Sequence, residues 1–281
     1  MLFVDRPDGR RVRGLKAFQA VMPYLLRGRN ESAVYFEKDF DVENAIRYVH
    51  AKNVASNSTR FSLFGVFLAA ALRTVAEKPD LNRFVHRRGI YAREEIAFSF
   101  VVKKRLAEEA EETNAKIRFD PSDTIDEAMG RIDTAIAFAK SEVEGADDRE
   151  VRIAHSIPGG KACVTGLFRL LDRFNIAPAW MIKNDPLFST AYFANLGSLG
   201  LDAPYHHLYE WGTASIFVVI GRMFTKEGSR GESQTGRRHF INIKVTVDER
   251  ISEGIYFAHA ASLFQRLVQK PELLEVRPGS L

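Results

Sequence analysis

The chain has almost no cysteine. A single residue, Cys163, excludes an internal disulfide and any cysteine-rich metal site. It also lacks a long apolar run: the longest, Phe61 to Leu72, falls well short of the roughly 20 residues needed to span a bilayer and reads as a buried helix. The first residues, Met1-Leu-Phe-Val-Asp-Arg-Pro-Asp-Gly-Arg-Arg11, carry charges where a secretory signal needs about 7 to 15 apolar residues, so a cytoplasmic protein is expected. No internal repeat occurs, and charge is not segregated. The formal net charge is +4, with 40 Lys and Arg interleaved among 36 acids, which gives no basic stripe for nucleic acid. A modest basic excess does suit a phosphate-bearing ligand.

What the chain does have is enough apolar material, 46% of 281 residues, for one large core. Ala33 to Phe40 is rich in β-branched and aromatic residues and predicts a strand, after which Asp41 caps a helix over 42–52. Phe61 to Glu77 predicts a helix closed by Pro79. Strands are expected over 96–102 and 116–119, with the acidic run Glu108 to Glu112 as a solvated tip. Thr124-Ile-Asp-Glu127 is a capping box for a helix to about Glu144, with Ile125, Met129, Ile132 and Ile136 at helical spacing.

Further on, a short helix over 166–174 and a strand over 188–196 are expected. Residues 213–221 and 238–247 predict paired strands around a mobile loop, Lys226 to Arg237, and a last helix presents Phe257, Ala261, Phe264 and Leu267 on one face. The irregular alternation of helices and strands predicts an α+β or mixed-sheet α/β fold.

The most informative stretch is Val245-Thr-Val-Asp-Glu-Arg-Ile-Ser-Glu-Gly254, running into an apolar helix and Pro271. It resembles the ending of the acyltransferase catalytic domain of 2-oxo acid dehydrogenase complexes and, more distantly, of chloramphenicol acetyltransferase. Those proteins read Asp-His-Arg-x-x-Asp-Gly there. Other landmarks occur in the family's order: Gly14 to Met22 resembles its opening helix, Pro79-Asp-Leu-Asn82 its Pro-x-Leu-Asn signature, Phe193-Ala-Asn-Leu-Gly197 its Ile-Ser-Asn-Leu-Gly strand end, and Val218-Val-Ile-Gly-Arg222 the strand that follows. The resemblance spans nearly the whole chain and implies one domain over 1–281, a mixed sheet sandwich covered by helices, and a homotrimer or a multiple of three. No lipoyl or peripheral subunit-binding segment is expected.

In that family a histidine deprotonates a thiol for attack on a thioester, and a serine donates to the tetrahedral oxyanion. By resemblance the histidine position is Glu249, the aspartate position Glu253, the serine position Ala194, and the neighbouring asparagine Asn195. Asp248, Arg250 and Gly254 match. Losing both the base and the oxyanion donor argues against the standard transfer, since removing an oxyanion donor alone costs about a hundred- to a thousandfold. Glu249 as a substitute base would need strong burial, because a carboxylate near pH 4.3 is poorly matched to a thiol near 8.5. Glu253 is expected to pair with Lys16.

Three functions stay open at this point. One is a degenerate trimer that binds an acyl-CoA or a protein partner. The second is an active CoA-dependent acyltransferase that uses Glu249 or a displaced histidine. The third is a structural protein whose trimers build a cage or sheath.

No cofactor is required in these readings, although coenzyme A is a possible ligand through Arg222, Lys226, Arg237 and Arg238 around the expected loop. His206-His207, with Tyr209, Glu210 and Trp211, is the richest polar-aromatic cluster; adjacent histidines diverge on an extended backbone, so packing is expected rather than a metal. Cys163 beside Lys161 has no histidine to activate it. His155-Ser156 and Ser198 lack a nucleophile elbow, and Gly159-Gly160-Lys161 lacks the rest of a phosphate loop.

Overall fold

The structure is a computed structural model that describes residues 5–57, 60–103, 112–140, 160–227 and 236–279. Its spine is a six-stranded sheet ordered β2-β9-β8-β7-β5-β6. The strands are β2 (Ala33–Asp41), β5 (Ile96–Lys103), β6 (Glu112–Phe119), β7 (Ala191–Asn195), β8 (Ile216–Glu227) and β9 (Arg237–Asp248). The β5/β7 and β7/β8 pairs are parallel and the others antiparallel, so the mixed-sheet expectation holds. A separate three-stranded sheet, ordered β1-β4-β3, joins β1 (Gly9–Arg11), β3 (Arg83–His86) and β4 (Gly89–Arg93); sequence patterning missed it because its strands are only three to five residues long.

Period-two alternation sorts the sheet's two faces. Ala191 and Phe193 of β7, with Ile216, Val218 and Ile220 of β8, join the main core, while Tyr192, Phe217 and Val219 turn to the opposite face and pack with Ala203 and Leu208. The main core lies under α2 (Glu43–Ser56), α3 (Leu63–Glu77), α4 (Ile125–Lys140) and α7 (Gly254–Gln269). The remaining helices are α1 (Ala17–Leu25), α5 (Gly160–Arg173) and α6 (Ala179–Asn184).

Helix α3 is apolar on nearly every side and accordingly lies buried. The Ser62 hydroxyl accepts from the Gly65 N–H at 3.1 Å to start it, and Pro79 follows its end. The capping box of α4 is present: the Thr124 N–H donates to Glu127 at 2.7 Å, and the Glu127 N–H reaches back to the Thr124 hydroxyl at 3.5 Å. Among the described residues no helix is long and apolar enough to cross a membrane.

Several boundaries differ from expectation. The strand expected over 188–196 is β7 at Ala191–Asn195, because Leu196–Leu199 coils into a 3-10 turn. The short helix is longer, starting at Gly160. Ala261 faces outward and Ala260 inward. Strand β8 continues through the bulge between Ile220 and Met223 out to Glu227, and β9 begins at Arg237, so Lys226 and Arg237 are strand residues and not loop residues, while Arg238 lies in the strand as expected. Of the acidic run Glu108 to Glu112, Glu112 opens β6 and is a strand residue and not part of a tip; the rest of that run, the interior of the expected loop at 228–235, the end of the α4 prediction beyond Lys140, and His155, Ser156 and Gly159 lie outside the described residues.

Candidate functional site

The end of β9 shows what Asp248 and Arg250 do together. The Asp248 carboxylate accepts two bonds from the Arg250 guanidinium, at 2.8 and 2.7 Å, and a third from the Arg250 N–H at 3.1 Å, which coils Glu249–Ile251 into a 3-10 turn. The remaining guanidinium nitrogen of Arg250 donates to the carbonyls of Leu26 and Arg27, fastening this turn to the chain leaving α1. Both side chains are buried. This fork-to-carboxylate geometry is the strong form of a charged hydrogen bond. The Glu249 N–H donates to the Ser32 carbonyl at 3.0 Å, which holds that residue at the strand end. Four residues on, Glu253 meets Lys16 at 2.9 Å across the opening of α7.

The other motif end is at β7. Asn195 accepts from the Ser198 N–H at 3.3 Å, and the Ser198 hydroxyl donates back to the Asn195 carbonyl at 2.7 Å, closing the turn that contains Gly197. Ser198 is thereby committed to the turn. Gly197 packs directly on the bulged backbone of β8: a Cβ there would collide with the Gly221 carbonyl oxygen, and one on Gly221 would lie 2.8 Å from the Ala203 nitrogen. Both motif glycines are therefore required by close backbone approach. Ala194 itself presents a methyl group with no donor.

Register fixes how Ala194 and Glu249 relate within one chain. Ala194 pairs with Val219, which pairs with Lys244, so Glu249 follows that level by five residues, roughly 16 Å along the strand, and lies two strands away. The structure does not bring these two positions together in one protomer.

Three of the four cations expected to line a coenzyme site are already matched. Arg222 pairs with Asp202 at 2.8 Å, Lys226 with Asp39 at 2.8 Å, and Arg238 with Asp41 at 2.9 Å, while Arg237 stands opposite Glu227 in the ladder. In the polar-aromatic cluster, the His206 ring stacks on Phe217 with centroids 3.8 Å apart, and its Nδ1 lies 2.7 Å from the His207 carbonyl; burial lowers its pKa. It is a packing residue, although the two histidines do not diverge as expected: their rings lie stacked with centroids 4.8 Å apart. Cys163 is exposed on α5. Among the described residues, no group of three or more His, Cys, Asp or Glu could hold a metal ion.

A second constellation includes Glu210 and Trp211 of the polar-aromatic cluster and Arg250 of the motif, but its other members carry no sequence signal. A cavity of about 200 Å³ is walled by arginines 27, 29, 87, 169 and 250, with His86, Asp172, Glu210 and the aromatics Phe168, Phe188 and Trp211. Beneath it, Arg6 pairs with Asp8 at 2.9 Å and Asp172 at 2.8 Å, and Arg93 sits 4.4 Å from the Phe84 ring centroid. Burial lowers Arg93 to a pKa of about 9 and Arg29 to about 10, so both stay charged near neutrality. Burial, reinforced by Arg6, Arg29 and Arg87, drives His86 down to about 3 and keeps it neutral. These residues come from loops and elements spread over the chain, and no local spacing signals them.

No protein-family model and no curated protein matches the sequence. Solved structures do match. The dihydrolipoamide acetyltransferase of Azotobacter vinelandii, whose catalytic mechanism was probed at a serine, a histidine and an asparagine four residues after the histidine, superposes with a TM-score of 0.61 at 12% identity over 94% of each chain. The cubic core of a pyruvate dehydrogenase multienzyme complex gives 0.55 at 11% identity over 94% of each. The fold is that of these acyltransferases. Chloramphenicol acetyltransferase shares it as well, with a TM-score of 0.52 at 14% identity over 89% of this chain and 92% of that one.

Proposed function

We propose that this chain, as one unit over 1–281, is an acyltransferase-fold protein that binds coenzyme A or an acyl-CoA as a homotrimer, or a multiple of three, and does not carry out the standard acyl transfer. The observation that carries the reading is the pair of side chains at the two motif ends: a carboxylate at Glu249 and a methyl at Ala194. Standard transfer needs a base that takes the acceptor thiol's proton as its sulfur attacks the thioester carbonyl, and a donor for the oxyanion before the coenzyme thiolate leaves. Neither motif end supplies these groups.

Self-association is supported by two features. The separation of Ala194 from Glu249 within one chain means that only a neighbouring copy can bring the two ends face to face. Large apolar side chains are also exposed in clusters, Phe18 (69%), Tyr24 and Leu25 on α1 and Leu167 and Leu170 on α5, as expected of a surface covered by a partner. The cubic core described above is an assembly with the same fold.

Coenzyme A is expected to raise the melting temperature, and light scattering is expected to give a trimer or a multiple of it. Acetyl-CoA with dihydrolipoamide, followed through release of the free coenzyme thiol, should show no turnover above the uncatalysed rate. Turnover that disappears in Glu249→Gln would overturn the inactive reading and make Glu249 the base. A monomer at high micromolar concentration would remove the assembly.

A further inference from the structure

The arginine-walled cavity carries more positive charge than its surroundings neutralise. Of its five arginines, only Arg250 is paired with a carboxylate among the described residues. Arg29 is the telling one. It is 6% exposed, and its two terminal nitrogens donate to the carbonyls of Ala214 at 3.2 Å and Val85 at 3.1 Å, with no carboxylate in ion-pair distance among the described residues. Arg87 donates to the Arg173 carbonyl at 3.1 Å, and Arg169 lies 5.6 Å from the Trp211 ring centroid.

The two carboxylates in the wall are spent elsewhere. Asp172 serves Arg6 at 2.8 Å and faces His86 at 3.6 Å. Glu210 accepts from the N–H groups of Arg29 and Asn30 and from the Asn30 side chain, at 3.0 to 3.1 Å.

Burying a guanidinium with only neutral carbonyl partners is costly, and the cost falls when an anion shares the site. This arrangement contrasts with Arg222, Lys226 and Arg238, each of which has its own acid. The cavity also far exceeds the roughly 10–15 Å³ that one water requires, and Phe168, Phe188 and Trp211 give it an apolar wall.

We propose that this cavity is a binding site for a small organic anion bearing a phosphate or carboxylate group, gripped by Arg29, Arg87 and Arg169 and packed against Trp211. Planar guanidinium forks match both headgroups. The site is argued from its own lining and does not rest on the acyltransferase reading, so an absence of transfer or of coenzyme A binding leaves it standing.

The test is titration of the full chain with inorganic pyrophosphate and, separately, citrate in low-salt buffer. The readout is tryptophan fluorescence in a Trp180→Phe background, which leaves Trp211 as the only tryptophan. Saturable quenching by at least one probe is expected, and which probe saturates assigns the headgroup. Arg87→Gln with Arg169→Gln, both exposed and hence tolerable to the fold, should weaken binding by about tenfold or more. Arg10→Gln with Arg118→Gln removes equal charge outside the cavity wall and should leave the affinity unchanged. No saturable response to either probe at millimolar concentration overturns the proposal. So does equal weakening by the two double variants, because binding would then follow net charge.

Discussion

Acid should destabilise this protein through His86, and the size of the effect follows from its surroundings. The ring is nearly buried at the end of β3, with Nδ1 3.6 Å from Asp172 and with Nε2 buried and unpartnered. Burial and the charges of Arg6, Arg29 and Arg87, opposed by Asp8, hold its pKa at about 3 against 6.5 when unfolded. Between these values the unfolded chain binds a proton that the folded chain refuses, so stability is complete above pH 6.5 and drains as pH falls toward 3. From pH 7.5 to pH 4.5 the loss is about 2–3 kcal/mol. Asp172 works the other way, since burial raises its pKa and the folded state takes up a proton early, and a single acid titration would therefore confuse the two. The clean measurement is urea denaturation of the wild type and of His86→Gln at several pH values. The variant retains Asp172 but loses the imidazole, so the gap between the two stabilities should close as pH falls from 7.5 to 4.5. Parallel pH profiles would refute the buried neutral histidine.

Lys116 should give the mirror image in base. Burial lowers it to about 7, so wild-type stability should rise between about pH 7 and pH 10.5 relative to Lys116→Met, as read from thermal melts. Asp248→Asn leaves the buried Arg250 uncompensated and should cost about 3–5 kcal/mol in urea denaturation. Gly197→Ala forces a methyl into the Gly221 backbone and should cost about 1–3 kcal/mol, with native-like circular dichroism at low temperature.

The parts of the fold legible in the sequence were those written in local periodicity and short motifs. The β-branched and aromatic content of 33–40, the apolar saturation of 63–77 and the capping box at Thr124 each record a one-element requirement, and each element appears in place. The extension of β8 to Glu227 was not legible, because Lys226 looks like loop chemistry until Asp39 on β2 supplies its partner. The Ala260 inversion has a similar origin: two adjacent alanines carry no amphipathic contrast. The arginine cavity lay beyond local reading altogether. Arg29, His86, Arg169 and Arg250 meet only after the sheet and α5 are assembled, and although Arg250 belongs to a recognisable motif, no spacing in the sequence links it to the other three.

The two ends of the acyltransferase motif and the arginine cavity bear on one another through Arg250. Its guanidinium binds Asp248 beside Glu249 and also forms part of the cavity wall, while its contacts to the carbonyls of Leu26 and Arg27 fix the chain that leads to Arg29. An anion that draws Arg27 or Arg29 inward therefore pulls on the same backbone that anchors the turn carrying Glu249. The connection is short and made of charged hydrogen bonds, which tolerate little displacement. If the cavity fills as proposed, pyrophosphate or citrate should protect the amide of Glu249, bonded to the Ser32 carbonyl at 3.0 Å, from hydrogen exchange. Ser198, whose turn at the end of β7 touches neither the cavity nor Arg250, should exchange at the same rate with and without the anion. Equal protection at both amides would mean that the anion stabilises the molecule globally, and the mechanical link through Arg250 would be wrong.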